Sequence, residues 1–260
     1  MNHQQFISEN TWSYCSNRTH CSVIDKNAAH HLRFDLFVSY IKQNGVMMRI
    51  NDKATQVVVL DNHYYWVSTT AGRLKHTIIN REQISDITEY VNIDSYDALF
   101  ENDTCVEEDI AICEMIGQLE GSVLDVGCGT GLLLHIKDIE DYKGIDASPL
   151  MINKLIEKFP NRKHQVMICR VEDYAKTLRT YDNVIALFSA SYIKFPEVFM
   201  RLWNKTGKLF LMFYKEDYIP VTHEKLGINA EYSKWTKQEL EEVFEGLSVT
   251  EFNNYYIVQS

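Results

Sequence analysis

From about residue 104 the chain alternates between short apolar runs and longer stretches with apolar residues at helical spacing. Asp103-Thr104 can cap a helix whose apolar positions Val106, Ile110, Cys113, Met115 and Ile116 form a stripe up to Gly117. SVLDVG, DYKGID, HQVMIC, YDNVIALF and GKLFLMFY read as strands. Leu132 to Lys137, Pro149 to Phe159 and Phe195 to Asn204 read as the helices between them. Strand and helix taking turns at this spacing predict an α/β fold, a doubly wound and mostly parallel sheet covered by helices on both faces. The end departs from that rule: a helix over Thr236 to Glu245 is followed by LSVTEF, Asn253-Asn254 and YYIVQ. This pair reads as a hairpin, so the last strand is expected antiparallel to the rest.

The first 92 residues have a different texture. Asn27 to Asn44 has near-helical spacing of Ala28, Ala29, Leu32, Leu36, Tyr40 and Ile41, and Asn44-Gly45 is a helix stop. The runs VMMRI, TQVVVL and YYWVSTT follow, separated by polar turns, as in an antiparallel meander. An N-terminal α+β accessory domain at 1–92 and a second domain at 93–260 are therefore expected. Charge supports the division: residues 1–92 carry a net +1 and the remainder −11, for −10 over all 260 residues.

No basic stripe suits a nucleic-acid duplex, and no run of eighteen apolar residues suits a bilayer. The N-terminal MNHQQFISEN has neither a basic nor an apolar leader region, which makes the cytoplasm the expected location. The six cysteines include no CxxC pair and are read as free thiols. Cys15, Cys21, His20, His30 and His31 lack the usual zinc spacings and are read as a polar loop and helix start, with no metal expected.

The densest chemical signal is VLDVGCGTGLL at 123–133. A buried strand delivers Asp125 at its tip, and Gly127, Gly129 and Gly131 let the backbone fold tightly before a helix opens. A dinucleotide loop, GxGxxG, would need its third glycine at Leu132. The pattern DxGxGxG instead suits a ligand with an ammonium group beside the carboxylate. At this point the sequence resembles the class I S-adenosylmethionine (SAM)-dependent methyltransferases, which have a Rossmann-like fold, from about Tyr96 onward. The resemblance implies that Asp125, Gly127, Gly129 and Gly131 hold the methionine part of SAM. Asp146, with Ala147 after it, lies 21 residues beyond Asp125 at the tip of the second strand and becomes the ribose ligand. Asp173, or Glu172, is expected on the adenine amino group. The stretch running from Phe188 through Ser189-Ala190-Ser191 to Tyr192 is expected beside the transferable methyl, and Tyr96 to close over the cofactor.

The same stretch narrows the acceptor. None of the four prolines begins a Pro-Pro or Pro-Cys pair, the dipeptides of DNA-methylating relatives. A small-molecule acceptor carrying an amine or hydroxyl is therefore expected, with no DNA or membrane partner and a homodimer left open. His223 is the expected general base, titrating near the ordinary histidine value of about 6.5. Tyr192, with Tyr214 beside it, is expected to line the acceptor pocket or shield the sulfonium. Two alternatives remain at this stage: a non-catalytic regulatory protein that binds SAM or its product SAH, and a protein or RNA methyltransferase whose target is recognised by residues 1–92.

Overall fold

The computed structural model describes residues 12–17, 20–25, 43, 45–50, 55–60, 63–70, 73–79, 96–220, 222–223 and 231–260. The chain forms two compact units, Met1–Ile87 and Thr88–Ser260.

In the first unit β1 (Trp12–Asn17), β2 (His20–Asp25), β3 (Val46–Ile50), β4 (Thr55–Leu60), β5 (His63–Thr70) and β6 (Arg73–Ile79) are joined in the order β1-β2-β6-β5-β4-β3. Every pair is antiparallel. The meander expected from VMMRI, TQVVVL and YYWVSTT is there as β3, β4 and β5. The segment around Cys15 and Cys21 is corrected from loop and helix start to two strands, with Tyr14 opposite Val23 and Cys15 opposite Ser22. Aromatic and β-branched residues favour such pairing, whereas the polar residues between them had suggested a loop. The helix expected over 27–44, and with it His30 and His31, lies outside the described residues apart from Gln43.

The second unit starts with α1 (Asp103–Ile116), whose cap is Asn102 rather than Asp103 or Thr104: its side chain accepts from the Cys105 amide at 3.1 Å. Then come β7 (Val123–Val126), α2 (Leu132–Ile136), β8 (Tyr142–Asp146), α3 (Pro149–Lys158), β9 (Val166–Ile168), α4 (Val171–Tyr174) and β10 (Asn183–Ala186). α5 (Val198–Leu202), β11 (Leu209–Tyr214), α6 (Lys237–Val243), β12 (Ser248–Phe252) and β13 (Tyr255–Gln259) complete it. The helices the pattern predicts here are all present, with the short α4 in addition, but α5 is half the expected Phe195–Asn204. Pro196 disfavours helical backbone at Phe195, and Trp203 turns extended where its indole donates to the Gly207 carbonyl at 3.2 Å. α6 begins on a capping box in which Thr236 and Glu239 bond each other's backbone amides.

The strands run β9-β8-β7-β10-β11-β13-β12. The first five pair in parallel; β13 runs antiparallel between β11 and β12, as the hairpin reading expects. β7, β10 and β11 are buried along their whole length, and their apolar side chains join Phe199, Leu240 and Phe244 from the helices in one core. Chain order reverses between β7 and β10. Loops leaving these two strands diverge to opposite faces, so a crevice opens at their carboxyl ends.

Candidate functional site

The loop leaving β7 folds back over β8: the amides of Gly127 and Cys128 donate to the Ile145 carbonyl at 2.8 and 3.0 Å. Its three glycines all have positive φ, but for different reasons. A Cβ on Gly127 would overlap the side chain of Ser189, whose hydroxyl donates to the Val126 carbonyl at 2.5 Å and fastens the β10 tip onto β7. One on Gly131 would stand 2.8 Å from the Phe159 ring. One on Gly129 would meet nothing nearer than the Gly127 carbonyl at 3.9 Å, so the middle of the loop faces open space.

Two carboxylates flank the loop. Asp125 is 2% exposed and accepts a 2.8 Å hydrogen bond from the Tyr142 hydroxyl; burial pushes its carboxyl up to about 7 against the pull of that bond. It braces the loop from inside. Asp146 stands half-buried in the crevice. One oxygen accepts from the Gly129 amide at 2.9 Å, the other from the Ser148 amide at 2.7 Å, and each keeps a lone pair for another donor. Burial pushes this carboxyl up to about 6, with those two amides opposing. Ala147 lies beside it, half-buried.

Asp173 and Glu172 sit on α4, directly after the third parallel strand, both half-buried. Asp173 is held by Lys176 at 2.9 Å. On the other side of the crevice, Phe188 has φ of 56°, rare for a residue with a side chain. Its carbonyl accepts from the Tyr214 hydroxyl at 3.1 Å and its ring meets Tyr255 edge-on at 5.0 Å. Tyr96 packs on Phe100 at 5.2 Å; its phenol is pushed above the ordinary range by burial first, then by the charges of Asp146, Tyr192 and Asp97. Its electrostatic neighbours thus include the Asp146 carboxylate and, at the β10 tip, Tyr192.

Past Phe188 an aromatic cluster forms. Tyr192 and His223 stack at 5.8 Å, and the Tyr192 hydroxyl lies 2.9 Å from His223 Nε2. Tyr214 and Tyr232 close on Tyr192 at 5.9 and 6.0 Å, while Tyr218 and Tyr255 close on Tyr214 at 5.3 and 5.7 Å. Burial lowers the His223 pKa from its ordinary value, so the ring is neutral over a wider pH range, and burial raises that of Tyr192, which keeps its proton. Ser191, buried below, accepts from the Tyr214 amide at 2.7 Å and its own carbonyl accepts from the Ser233 amide at 2.7 Å. This fixes the β10 tip against β11.

Thus the fold brings Tyr96, the glycine loop, Asp146, Ala147, Phe188 and Tyr192 around one crevice, with His223 bonded to Tyr192. Of the residues that hold this arrangement, Tyr142 was not singled out in the sequence, and Ser189 and Ser191 were named only as part of the stretch beside the transferable methyl. A crevice with open space over Gly129, acceptor capacity left on Asp146 and aromatic walls fits a cofactor with a hydroxylated sugar and a cationic centre.

Residues 123–205 match the methyltransferase domain family. No curated protein matches the chain. Among solved structures it is similar to DhpI in complex with SAH, at 18% identity over 68% of this chain and 93% of that one, with a TM-score of 0.50, which supports the fold. Magnesium protoporphyrin IX methyltransferase of Synechocystis PCC 6803, solved with bound SAH, aligns at 18% identity over 68% and 97%, TM-score 0.46. DesVI of Streptomyces venezuelae aligns at 16% identity over 66% and 97%, TM-score 0.48. Among the described residues no helix is long and apolar enough to cross a membrane. With the matched domain and the sheet order together, the chain carries a methyltransferase domain over residues 123–205, set on a Rossmann-like, mostly parallel sheet.

Proposed function

We propose that the protein methylates an amine or hydroxyl of a small molecule and that His223 receives the proton released. The observation behind this reading is the bond between Tyr192 and a neutral His223 at the β10 tip, inside a wall of tyrosines. Bound SAM would supply a methyl group that an aligned acceptor lone pair takes as its bond to the cationic sulfur breaks, with the neutral thioether SAH as the leaving group. The residues of the chain have the remaining tasks of binding, alignment and exclusion of water. Asp146 accepts hydrogen bonds from the ribose hydroxyls, Ala147 and Phe188 contact the adenosine, and Glu172 or Asp173 accepts from the adenine amine. Gly127, Gly129 and Gly131 bring the loop against the methionine part, Asp125 supports that loop from beneath, and Tyr96 covers the crevice. An incoming N–H or O–H gives its proton to the Tyr192 oxygen as the phenol proton passes to His223 Nε2, leaving Tyr192 neutral before and after.

Two measurements test these roles. Asp146→Ala should weaken SAM binding about tenfold to a hundredfold, because charge-assisted bonds to hydroxyls are worth roughly 1.5–3 kcal/mol. Calorimetry returning the wild-type affinity would remove the ribose assignment. For the reaction itself, a panel of amines and hydroxyl compounds is incubated with SAM and examined by mass spectrometry for the methylated product. With a productive acceptor, turnover should rise with pH through an ionisation below the ordinary histidine value, since burial lowers the His223 pKa. His223→Ala should lose on the order of a hundredfold in turnover while keeping SAM affinity. Retained turnover in that variant leaves alignment alone as the source of catalysis, and methylation confined to thiols or to proteins sinks the acceptor class.

A further inference from the structure

A polar cluster at the edge of the crevice joins three separate segments. Asp97 follows Tyr96 directly and opens a short 3-10 turn, Asp97–Leu99. Its Oδ1 accepts from the Thr130 hydroxyl at 2.6 Å and lies 2.8 Å from Lys158 Nζ, which in turn donates to Thr130 Oγ1 at 3.2 Å. Thr130 is 7% exposed and lies between Gly129 and Gly131; Lys158 is the last residue of α3. The single hydroxyl thus donates to the acid and accepts from the base, so all three groups specify one arrangement. An ion pair this exposed adds little to stability. What it does fix is the place of the backbone carrying Tyr96 relative to the glycine loop.

We propose that Asp97, Thr130 and Lys158 form a latch that holds Tyr96 over the cofactor, making them positioning residues for SAM affinity. The proposal rests on the reading of Tyr96 as the residue that covers the crevice. It assigns the threonine of the loop a task distinct from that of the glycines on either side of it.

The test is calorimetric titration of the full chain with SAM. Lys158→Met and Thr130→Val should each weaken binding about tenfold, whereas Lys158→Arg, which keeps the charge, should stay near wild type. The thermal midpoint of the ligand-free protein should move by only about 2 °C in either variant, which separates positioning from loss of fold. A double-variant cycle supplies the decisive reading. If the latch acts through Tyr96, Tyr96→Ala combined with Lys158→Met should bind no more weakly than Tyr96→Ala alone. Losses that simply add, or SAM affinity unchanged in both single variants, would overturn the latch. Should the wild type itself fail to bind SAM, the cofactor assignment falls and the latch with it. Wild-type binding with unaffected variants removes the latch alone.

Discussion

Asp125→Asn should make the stability of the ligand-free protein less dependent on pH, with the variant gaining on the wild type steadily between about pH 4 and pH 8. Asp125 is buried, and its carboxyl is pushed up to about 7, against about 3.9 in an unfolded chain. A carboxyl raised on folding contributes its stability below the unfolded value, where both states are protonated. That stability is lost as pH rises through the folded value, where the native state must ionise a group with no water around it. At about 1.36 kcal/mol per unit the wild type loses on the order of 4 kcal/mol by pH 8. Asparagine keeps an oxygen for the Tyr142 hydroxyl and never ionises, so its own offset is independent of pH. Urea unfolding at several pH values reads the widening gap directly; parallel stability curves for the two proteins would show that folding leaves the Asp125 carboxyl at its ordinary value. Asp146, raised to about 6, adds a slope of the same sign to both proteins.

The second large effect should come from the glycine loop, where neighbouring positions are expected to fail in different ways. Gly129→Val should fold and yet lose at least about a hundredfold in SAM affinity. The protein leaves its Cβ direction open, and the φ of 51° costs a branched side chain roughly 1–3 kcal/mol, less than the whole stability of an ordinary domain. In the crevice the added methyl groups occupy the space left for the cofactor. Gly127→Ala should instead damage the fold, because its Cβ runs into Ser189 and through it into the bond from the Ser189 hydroxyl to the Val126 carbonyl. Circular dichroism melts and calorimetry on the pair make the comparison. A Gly129→Val protein that binds SAM like the wild type would show that the cofactor passes elsewhere.

The central parallel strands β7, β10 and β11 were legible because each is a mainly apolar run between turn residues, as in VLDV and LFLMFY, and burial on both faces demands that composition. The antiparallel end was legible from Asn253-Asn254, which supplies the turn between β12 and β13, Asn253 with φ of 49°. Strands β1, β2 and β6 were missed, since WSYCSN, HCSVID and RLKHTII mix polar and apolar residues with no continuous run. The glycine loop and Asp146 stood out because their spacing is local. The residues that hold them in place carry no local signal: Tyr142 acts on Asp125 across 17 positions, Thr130 on Asp97 across 33, and Ser189 on Val126 across 63. Such pairs exist only once the sheet has brought their segments together. His223 was found as a histidine after the fifth strand, but the lowering of its pKa depends on packing that spacing does not encode.

The insertion of β13 between β11 and β12 bears on how the domain is made. Phe210 of β11 pairs with Gln259, and Tyr214 with Tyr255. While the chain is being synthesised, β11 can dock on β10 as soon as it emerges, but its other edge stays unpaired until residues 255–259 have left the ribosome. That edge belongs to LFLMFY, six buried residues without a charge or a proline, the composition most prone to pairing with a stranger. The closing hairpin therefore protects against aggregation as well as finishing the fold. Any truncation or premature stop that removes β13 should send the protein into inclusion bodies, beyond the loss of Tyr255 from the aromatic wall.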